Sequence, residues 1–534
     1  MTLLLLLACA EPAPPPRATP PVAAESRTPL DAPRLARRIS LDLTGVLPSV
    51  AALDEIEASP GALDGWMESW LVDRRLEDRL VQLLAERWHT RIDDFQVNHD
   101  DYRLGDGEEY AYERAVGEEP LRLVAHVAAT DAQWSEIVTA PYTMGNSVLA
   151  DIWPLTCDAP LEGEDWRVCT YSDARPAAGV LATNGLWWRY TTTPSNLNRA
   201  RVAALVRLLV CDDILARSIT FSTVPALADA DAVAAAIREE PACAACHAEI
   251  EPVAAALLGF YWQSEYSRIE QDTYHPEREP MGETLLGVSP AWYGTPIAGL
   301  MELGPAIAQD PRFEACAVES FASLYWRRDV VDADQALLDE IGSQWDGRYR
   351  SLVRAIFESP QYKAGDDSLV DSPERTVRLL SPDQLADVLE ALTGYRWTQD
   401  GFDQMDNDAY GFRVLAGGVD GEAAVSPQAD PGLTWALVVK RLAEAAAMAV
   451  AEVDIGGGQG RLLDGVDAST TSEDPAFSEQ IRALGWRLYA ERISETEVAA
   501  WASLWTAMRA EGDAVTAWAG LLSAMFRDPR MVST

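Results

Sequence analysis

The chain has 534 residues, with 43 Lys and Arg against 84 Asp and Glu, so its formal net charge at pH 7 is −41. This balance argues against nucleic-acid binding, because such proteins need a basic surface to displace counterions from phosphates. With 48% hydrophobic and 24% charged residues, the chain can bury cores and does not resemble a disordered polyelectrolyte. Its length suits roughly two to four domains.

The first residues resemble the export signal of a bacterial lipoprotein. Five leucines at residues 3–7 precede Ala8 and Cys9, and a small residue before a cysteine is typical of a lipobox. Six prolines between residues 10 and 21 then predict a stiff, extended tether. We expect a lipid on Cys9 to hold an exported protein at the cell envelope, in the periplasm or at the outer membrane or cell surface. A chance leucine run or an ordinary secretory signal is the alternative.

The remaining chain predicts helices almost throughout. Apolar residues recur at helical spacing in 76–88, and 381–394 has an N-cap serine, a first-turn proline and a terminal glycine. The stretch 494–505 opens with a capping box. Strong period-2 strands or hairpin turns do not stand out. We therefore expect a mostly α fold.

Seven cysteines divide into three groups. Cys9 belongs to the anchor, and two more lie in a CxxCH run. The other four form an even set, and exported cysteines tend to pair: Cys157, Cys169, Cys211 and Cys316. Cys157 and Cys169 are close in sequence and would close a small loop, which leaves Cys211 with Cys316. Three pairings of the four remain open at this stage.

The run Cys243-Ala244-Ala245-Cys246-His247 matches CxxCH, the attachment signature of haem c. Two thiols three positions apart on a helix can reach both vinyl groups of one porphyrin, and His247 can then ligate the iron. A redox dithiol needs a thioredoxin-like βαβ setting, a zinc site needs a further Cys/His pair, and a disulfide is poor across so short a spacing. The sequence supports none of these alternatives, so it predicts a covalent haem c with its iron.

The sixth iron ligand is left open by the sequence. His275, Met281 and Met301 lie downstream of the motif as candidates. Each has an ordinary alternative, as a surface turn residue for the histidine and as core filling for the methionines. An imidazole and a thioether would give different reduction potentials, and an open iron position is the further alternative.

Composition divides the chain into five predicted parts. They are a signal and tether at 1–30, a helical module at 31–150, a cytochrome c-like module at 151–270, a helical module at 271–365 and a C-terminal helical module at 366–534. We expect these modules to form one elongated or compact multi-domain body, with the haem module in the middle. The acids of the 401–421 loop lack the EF-hand spacing for calcium, so we expect solvated turn residues.

Short stretches across most of the chain share a family pattern. They are LARRISLDLTG at 35–45, TAPYTMGN at 139–146, 178–183, 201–211, 243–252, FEAC at 313–316, 325–328 and ISETE at 493–497. Together they resemble the exported planctomycete- and myxobacterial-type proteins that combine domains of unknown function with a cytochrome c-like CxxCH. Glu251 stands where that family has aspartate, and the usual continuation is eroded at 254–261. The resemblance implies a mostly helical protein with haem on Cys243, Cys246 and His247, and it supplies no substrate.

The leading hypothesis is an exported, lipid-anchored, c-type cytochrome-like protein that binds one haem and transfers electrons. Its acidic surface would steer a basic redox partner. One alternative is a peroxidase-like haem enzyme, with a distal acid or base from His89, His99, His126 or His275. Another is a non-haem helical scaffold that binds a partner. A hydrolase has no support, because a phosphate loop, a nucleophile elbow and HExxH are missing from the sequence.

Overall fold

The structure is a computed structural model that describes residues 28–91, 102, 104–105, 108–161, 165–217, 230–261, 272–365, 378–458 and 460–534. It is 62% helix and 6% strand, which confirms the mostly α fold. None of the helices in these ranges is long and apolar enough to span a membrane. Cys9, the proline-rich tether and His99 lie outside the described residues.

The helices up to and including the one that carries the CxxCH motif are numbered α1 to α11. They are α1 (Ala32–Thr44), α2 (Val50–Ala58), α3 (Ala62–Leu71), α4 (Arg75–Trp88), α5 (Glu108–Ala129), α6 (Glu136–Thr139), α7 (Ser147–Ile152), α8 (Asn184–Arg189), α9 (Arg199–Val210), α10 (Ala230–Glu239) and α11 (Pro241–Ala256). Helix α4 contains the predicted helix at 76–88.

Helices after that point are numbered α12 to α24. They are α12 (Gly282–Leu285), α13 (Leu300–Ala308), α14 (Pro311–Trp326), α15 (Gln335–Gln344), α16 (Tyr349–Glu358), α17 (Pro360–Lys363), α18 (Pro382–Thr393), α19 (Phe412–Leu415), α20 (Leu433–Ile455), α21 (Pro475–Tyr489), α22 (Glu495–Glu511), α23 (Ala514–Met525) and α24 (Pro529–Val532). The predicted capping box is confirmed at α22, where Ser494 and Glu497 form it. Helix α18 begins after Ser381 with Pro382 in its first turn, as predicted, but the Ser381 side chain makes no cap hydrogen bond, because its hydroxyl donates to Asp383 instead.

Short antiparallel strands form three small sheets that the sequence did not indicate. They are β1 (Thr143–Gly145), β2 (Leu155–Cys157), β3 (Arg167–Tyr171), β4 (Ala291–Trp292), β5 (Thr295–Pro296), β6 (Thr398–Gln399) and β7 (Phe402–Asp403). The first sheet has the order β1-β3-β2, and β4–β5 and β6–β7 are isolated pairs. Strands of two to five residues are too short to carry a visible alternation of apolar and polar residues.

Two hydrophobic cores define two bodies. One continuous core runs from Leu35 to Tyr362 and takes residues from α1, α4, α5, α9, α11, α14 and α16. The second core begins at Leu380, runs to Val532, and adds Leu41 from α1. We call these the first body and the second body. The predicted domain limits at residues 150 and 270 fall within the first core, and the limit at residue 365 falls between the two cores. Whether the segments between these limits fold independently stays a prediction.

Helix α1 joins the two bodies. The Asp31 carboxylate caps its first turn, and Gly45 ends it in the left-handed region at φ 72°. The buried Arg37 guanidinium donates to three carbonyl oxygens of the second body, those of Leu488 (3.0 Å), Met531 (2.9 Å) and Ser533 (2.8 Å). The next side chain, Arg38, donates instead to carbonyl oxygens at 362 and 364 of the first body. Two adjacent arginines of α1 therefore form hydrogen bonds to different bodies.

Candidate functional site

The CxxCH residues lie on the first two turns of α11. Pro241 occupies the first helical turn, where its missing N–H costs nothing, and alanines fill most of the next positions. Cys243 and Cys246, three positions apart, therefore share one side of the helix. Both thiols are free and half-buried, and Cys246 packs against the first core. The helical placement of the motif agrees with the geometry that two thioether bonds to one porphyrin require.

His247 is held in place by a chain of polar contacts. Its Nδ1 lies 2.8 Å from Oε1 of Glu251, one turn further along α11. The same oxygen accepts a 2.8 Å hydrogen bond from Nε of Arg199 at the start of α9. Because a carboxylate only accepts, this contact assigns the proton of a neutral imidazole to Nδ1 and leaves the Nε2 lone pair for a metal.

Glu251 is nearly buried, with a side chain 8% exposed. Burial alone would raise its pKa, but hydrogen bonds from His247 and Arg199 outweigh that effect, and the pKa lies below its ordinary value. Its second oxygen, Oε2, is buried without a hydrogen-bond partner in the described part of the chain. The carboxylate is therefore held as an anion that orients the imidazole.

The apolar stretch after the motif belongs to the first core. Val253, Leu257 and Phe260 are buried there. Gly259 lies against the ring of Tyr274, and a Cβ at this position would overlap that ring. This stretch therefore anchors α11 to the first body.

The candidates for the sixth ligand lie on two segments that both contact α11. The 3₁₀ turn Pro276–Met281 contacts α11, and His275, immediately before it, donates its backbone N–H to the carbonyl of Gly259 at 2.8 Å. Nδ1 of His275 lies 3.1 Å from Oε1 of Glu277. Helix α13, which carries Met301, also contacts α11, but Met301 is 60% exposed. Across the described ranges, groups of three or more His, Cys, Asp or Glu arranged to hold a metal ion do not occur.

The other cysteines form two disulfides. Cys157 and Cys169 face each other across β2 and β3, and Cys211, at the end of α9, is joined to Cys316 of α14. The pairing favoured by the sequence is confirmed. The oxidised cysteines are thus distinct from the two thiols of α11, which stay free.

The acids of the 401–421 loop are ion-paired rather than solvated. Asp406 binds the guanidinium groups of Arg91 and Arg114, Asp403 binds that of Arg396, and Asp408 binds that of Arg413. The expectation of free turn acids is therefore wrong, because the loop folds back onto arginines from both bodies. These carboxylates are neutralised by cations of the protein itself.

Glu251 and Arg199 are the site residues that sequence reasoning did not assign. The four-residue spacing of His247 and Glu251 on a predicted helix was a usable signal for the first contact. Arg199 carried no signal, since 52 residues separate it from Glu251. Among the proposed distal histidines, His89 follows the last residue of α4 and His126 lies on α5. The described contacts of both rings are with residues outside α11.

Comparison with protein-family models finds no match, and neither the curated proteins nor the solved structures include a significant match to this chain. The functional assignment therefore depends on the chemistry of the residues. Two free thiols and an imidazole with an anchored Nδ1 on one helix are the donor set that a covalent haem needs, so the residues fit this group.

Proposed function

We propose that this chain is a c-type cytochrome-like electron-transfer protein with one covalent haem on α11. Cys243 and Cys246 would form the thioether bonds, and Nε2 of His247 would be the proximal iron ligand. When bound, the haem supplies a one-electron couple between ferric and ferrous iron. The observation that carries the proposal is the combination of two free thiols with an imidazole oriented by Glu251 on two successive turns.

The residues of the chain have defined tasks in this proposal. Glu251 accepts the Nδ1 proton, fixes the tautomer of His247 and makes the imidazole a stronger donor. Arg199 fixes Glu251 from a second helix, so the orientation of the ring depends on the contact between α9 and α11. His275, Met281 and Met301 are the candidates for a sixth ligand, and each is carried by a segment next to α11. Met301 is the least favoured because it is 60% exposed.

Export, lipidation of Cys9 and a basic redox partner belong to the same proposal. Two disulfides support an oxidising compartment, where such bonds persist. The net charge of −41 supports electrostatic attraction of a basic partner. Membership in the exported, CxxCH-containing family is also proposed, on the resemblance of the stretches described above.

A peroxidase-like haem enzyme is the second candidate. The contact between His247 and the Glu251 carboxylate favours it, since a more basic imidazole stabilises ferric iron. Carbon monoxide and cyanide distinguish the two candidates. A six-coordinate electron carrier should resist both ligands, whereas an open iron should bind them readily.

The direct test is periplasmic expression with haem-attachment machinery, followed by a pyridine haemochrome assay and a haem stain on a denaturing gel. We expect one haem per chain, and loss of the covalent band in Cys243→Ser and in Cys246→Ser. The matched control is the double variant Cys157→Ser/Cys169→Ser, which removes another pair of cysteines and should keep the band. Native material whose motif peptide carries no porphyrin mass would refute the proposal and leave the helical scaffold as the function.

A further inference from the structure

Three arginines that have no carboxylate partner among the described residues lie near the boundary between the two bodies. Arg87 lies on α4, Arg189 ends α8 and Arg207 lies on α9; we call these three residues the arginine cluster. All three are half-buried. The guanidinium carbons of Arg189 and Arg207 lie 5.2 and 5.9 Å from the ring centroid of Tyr190, so both flank one aromatic ring.

The partners of the cluster are neutral. Arg189 donates to the carbonyl oxygens of His89 (2.6 Å) and Gly421 (2.7 Å). Arg207 donates to the Tyr190 hydroxyl at 2.9 Å, and Arg87 donates to the sulfur of Cys211 at 3.2 Å. Within the described residues, none of the three forms an ion pair, although Glu319 and Asp329 are close enough to Arg87 to act on its charge.

This arrangement is unusual in so acidic a chain. Acids outnumber Lys and Arg by 84 to 43, so an arginine that solvent can reach has many carboxylates available. Fully buried arginines such as Arg37 donate to carbonyl oxygens, but the cluster is partly accessible and still has no acid of the described residues within ion-pair distance. Three neighbouring cations with neutral partners create a positive potential around the cluster.

His89 lies close to the same positive charges. Its backbone at φ 52° ends α4, and its Nε2 lies 3.1 Å from the carbonyl oxygen of Val425 in the second body. Burial, followed by the charges of Arg207 and Arg189, lowers the pKa of His89 to about 4. The ring is therefore neutral at pH 7 and adds hydrogen-bonding capacity without adding charge.

We propose that the arginine cluster binds a small phosphate-type oxyanion near the boundary between the bodies. A tetrahedral dianion can accept from several guanidinium groups at once, whereas a single guanidinium already neutralises a carboxylate. Arg207 and Arg87 each use one donor on a described residue, and Arg207, which shares the Tyr190 ring with Arg189 and acts on the charge of Arg87, is the central ligand. Arg189 also donates to the carbonyl oxygen of Gly421 in the second body, so an anion bound to the cluster would affect the contact between the bodies.

The test is titration of the full chain with inorganic phosphate at constant ionic strength, followed by calorimetry and by phosphorus NMR line width. We expect saturable binding that is at least tenfold weaker in Arg207→Gln. The matched control is Arg482→Gln, which removes an exposed arginine paired with Glu495 and should bind as the original chain does. If Arg207→Gln does not fold, Arg87→Gln, whose described hydrogen bond is to a sulfur, decides the question.

Three results would overturn the inference. The first is an absence of saturable binding at about 10 mM phosphate, a concentration beyond any specific site of useful affinity. The second is equal affinity in the cluster variants and the control. The third is equally tight binding of succinate, which would replace a phosphate-type ligand by a carboxylate. All of these readouts are independent of haem.

Discussion

The two bodies differ in where their chemistry lies. All seven cysteines and all five histidines of the sequence precede residue 317, so the second body contains neither residue type. The first body holds both disulfides, the CxxCH helix and the arginine cluster. The second body is built on the long helix α20 packed against α23. Reactive groups and covalent cross-links are thus confined to one body.

The packing of the two bodies explains this division. Ala443, Ala446, Ala447 and Val450 form a fully buried stripe of small residues on α20, which lets another helix approach closely. The first body is interrupted by short helices and loops, whose polar backbone groups need other partners. Disulfides and buried side-chain hydrogen bonds hold these short helices and loops in place. The first body is cross-linked by two disulfides, whereas the second body combines apolar contact with polar contacts of its own, such as the hydrogen bonds that the buried Asp454 carboxylate accepts from the backbone N–H groups of 461–463.

The disulfides give the largest expected effect. Cys211 and Cys316 are 105 residues apart in sequence, and Cys157 and Cys169 are 12 apart. In the loop-entropy model, closing loops of such lengths contributes about 4.7 and about 3 kcal/mol. Cys211→Ser/Cys316→Ser should therefore lower the free energy of unfolding of the first body more than Cys157→Ser/Cys169→Ser does. Denaturant titration measures both, and equal losses would show that loop length does not govern stability here.

Arg37 tests whether the two bodies are separate. Arg37→Met keeps an unbranched chain of similar length but leaves three buried carbonyl oxygens of the second body without their donor. Burial lowers the pKa of Arg37 to about 10, so the side chain is still charged at neutral pH. We expect a loss of about 3 kcal/mol and a division of one unfolding transition into two. Arg75→Ala, which removes an exposed arginine paired with Asp73 inside the first body, is the control, and an unchanged single transition in Arg37→Met would contradict the role of α1.

His89 predicts a pH dependence of stability at the boundary between the bodies. Its pKa is about 4 in the folded chain, because of burial and then Arg207 and Arg189, against 6.5 as its ordinary value. Between these two pH values the unfolded chain binds the extra proton, so stability falls as the pH drops from 6.5 to 4 and is constant above 6.5. His89→Asn, which tolerates the left-handed backbone, should reduce this fall by on the order of 2 kcal/mol, discounted for partial exposure. Parallel stability curves for both proteins from pH 7 to 4 would contradict it.

Ser494 gives the smallest effect and probes the second body alone. Its hydroxyl accepts from the N–H of Glu497, whose carboxylate accepts from the N–H of Ser494. Ser494→Ala should cost about 1 kcal/mol, the usual value of an N-cap. Ser503→Ala, in the middle of α22, should change stability by less than about 0.5 kcal/mol. Thermal unfolding of the two variants provides the measurement, and equal effects would mean that the cap does not stabilise α22.

Local features could be predicted from the sequence. The helix signals at Gly394 and Ser494 are confirmed at residue level, because a cap depends on groups only a few positions apart, whereas Ser381 marks the start of α18 without a side-chain cap. The CxxCH spacing likewise placed both thiols and His247 on one side of a helix. The count of cysteines and one short separation favoured the two disulfides, but three pairings stayed open until the structure showed which cysteines meet.

Distant contacts were decided only by the tertiary structure. Arg199 reaches Glu251 over 52 residues, and Arg37 reaches Ser533 over 496 residues. The arginine cluster draws on three helices, and the loop acids at 403–408 meet arginines of both bodies. The physical reason is that caps and motif spacing are set by the backbone geometry of one segment, whereas the partner of a side chain depends on which segments the packed cores bring together.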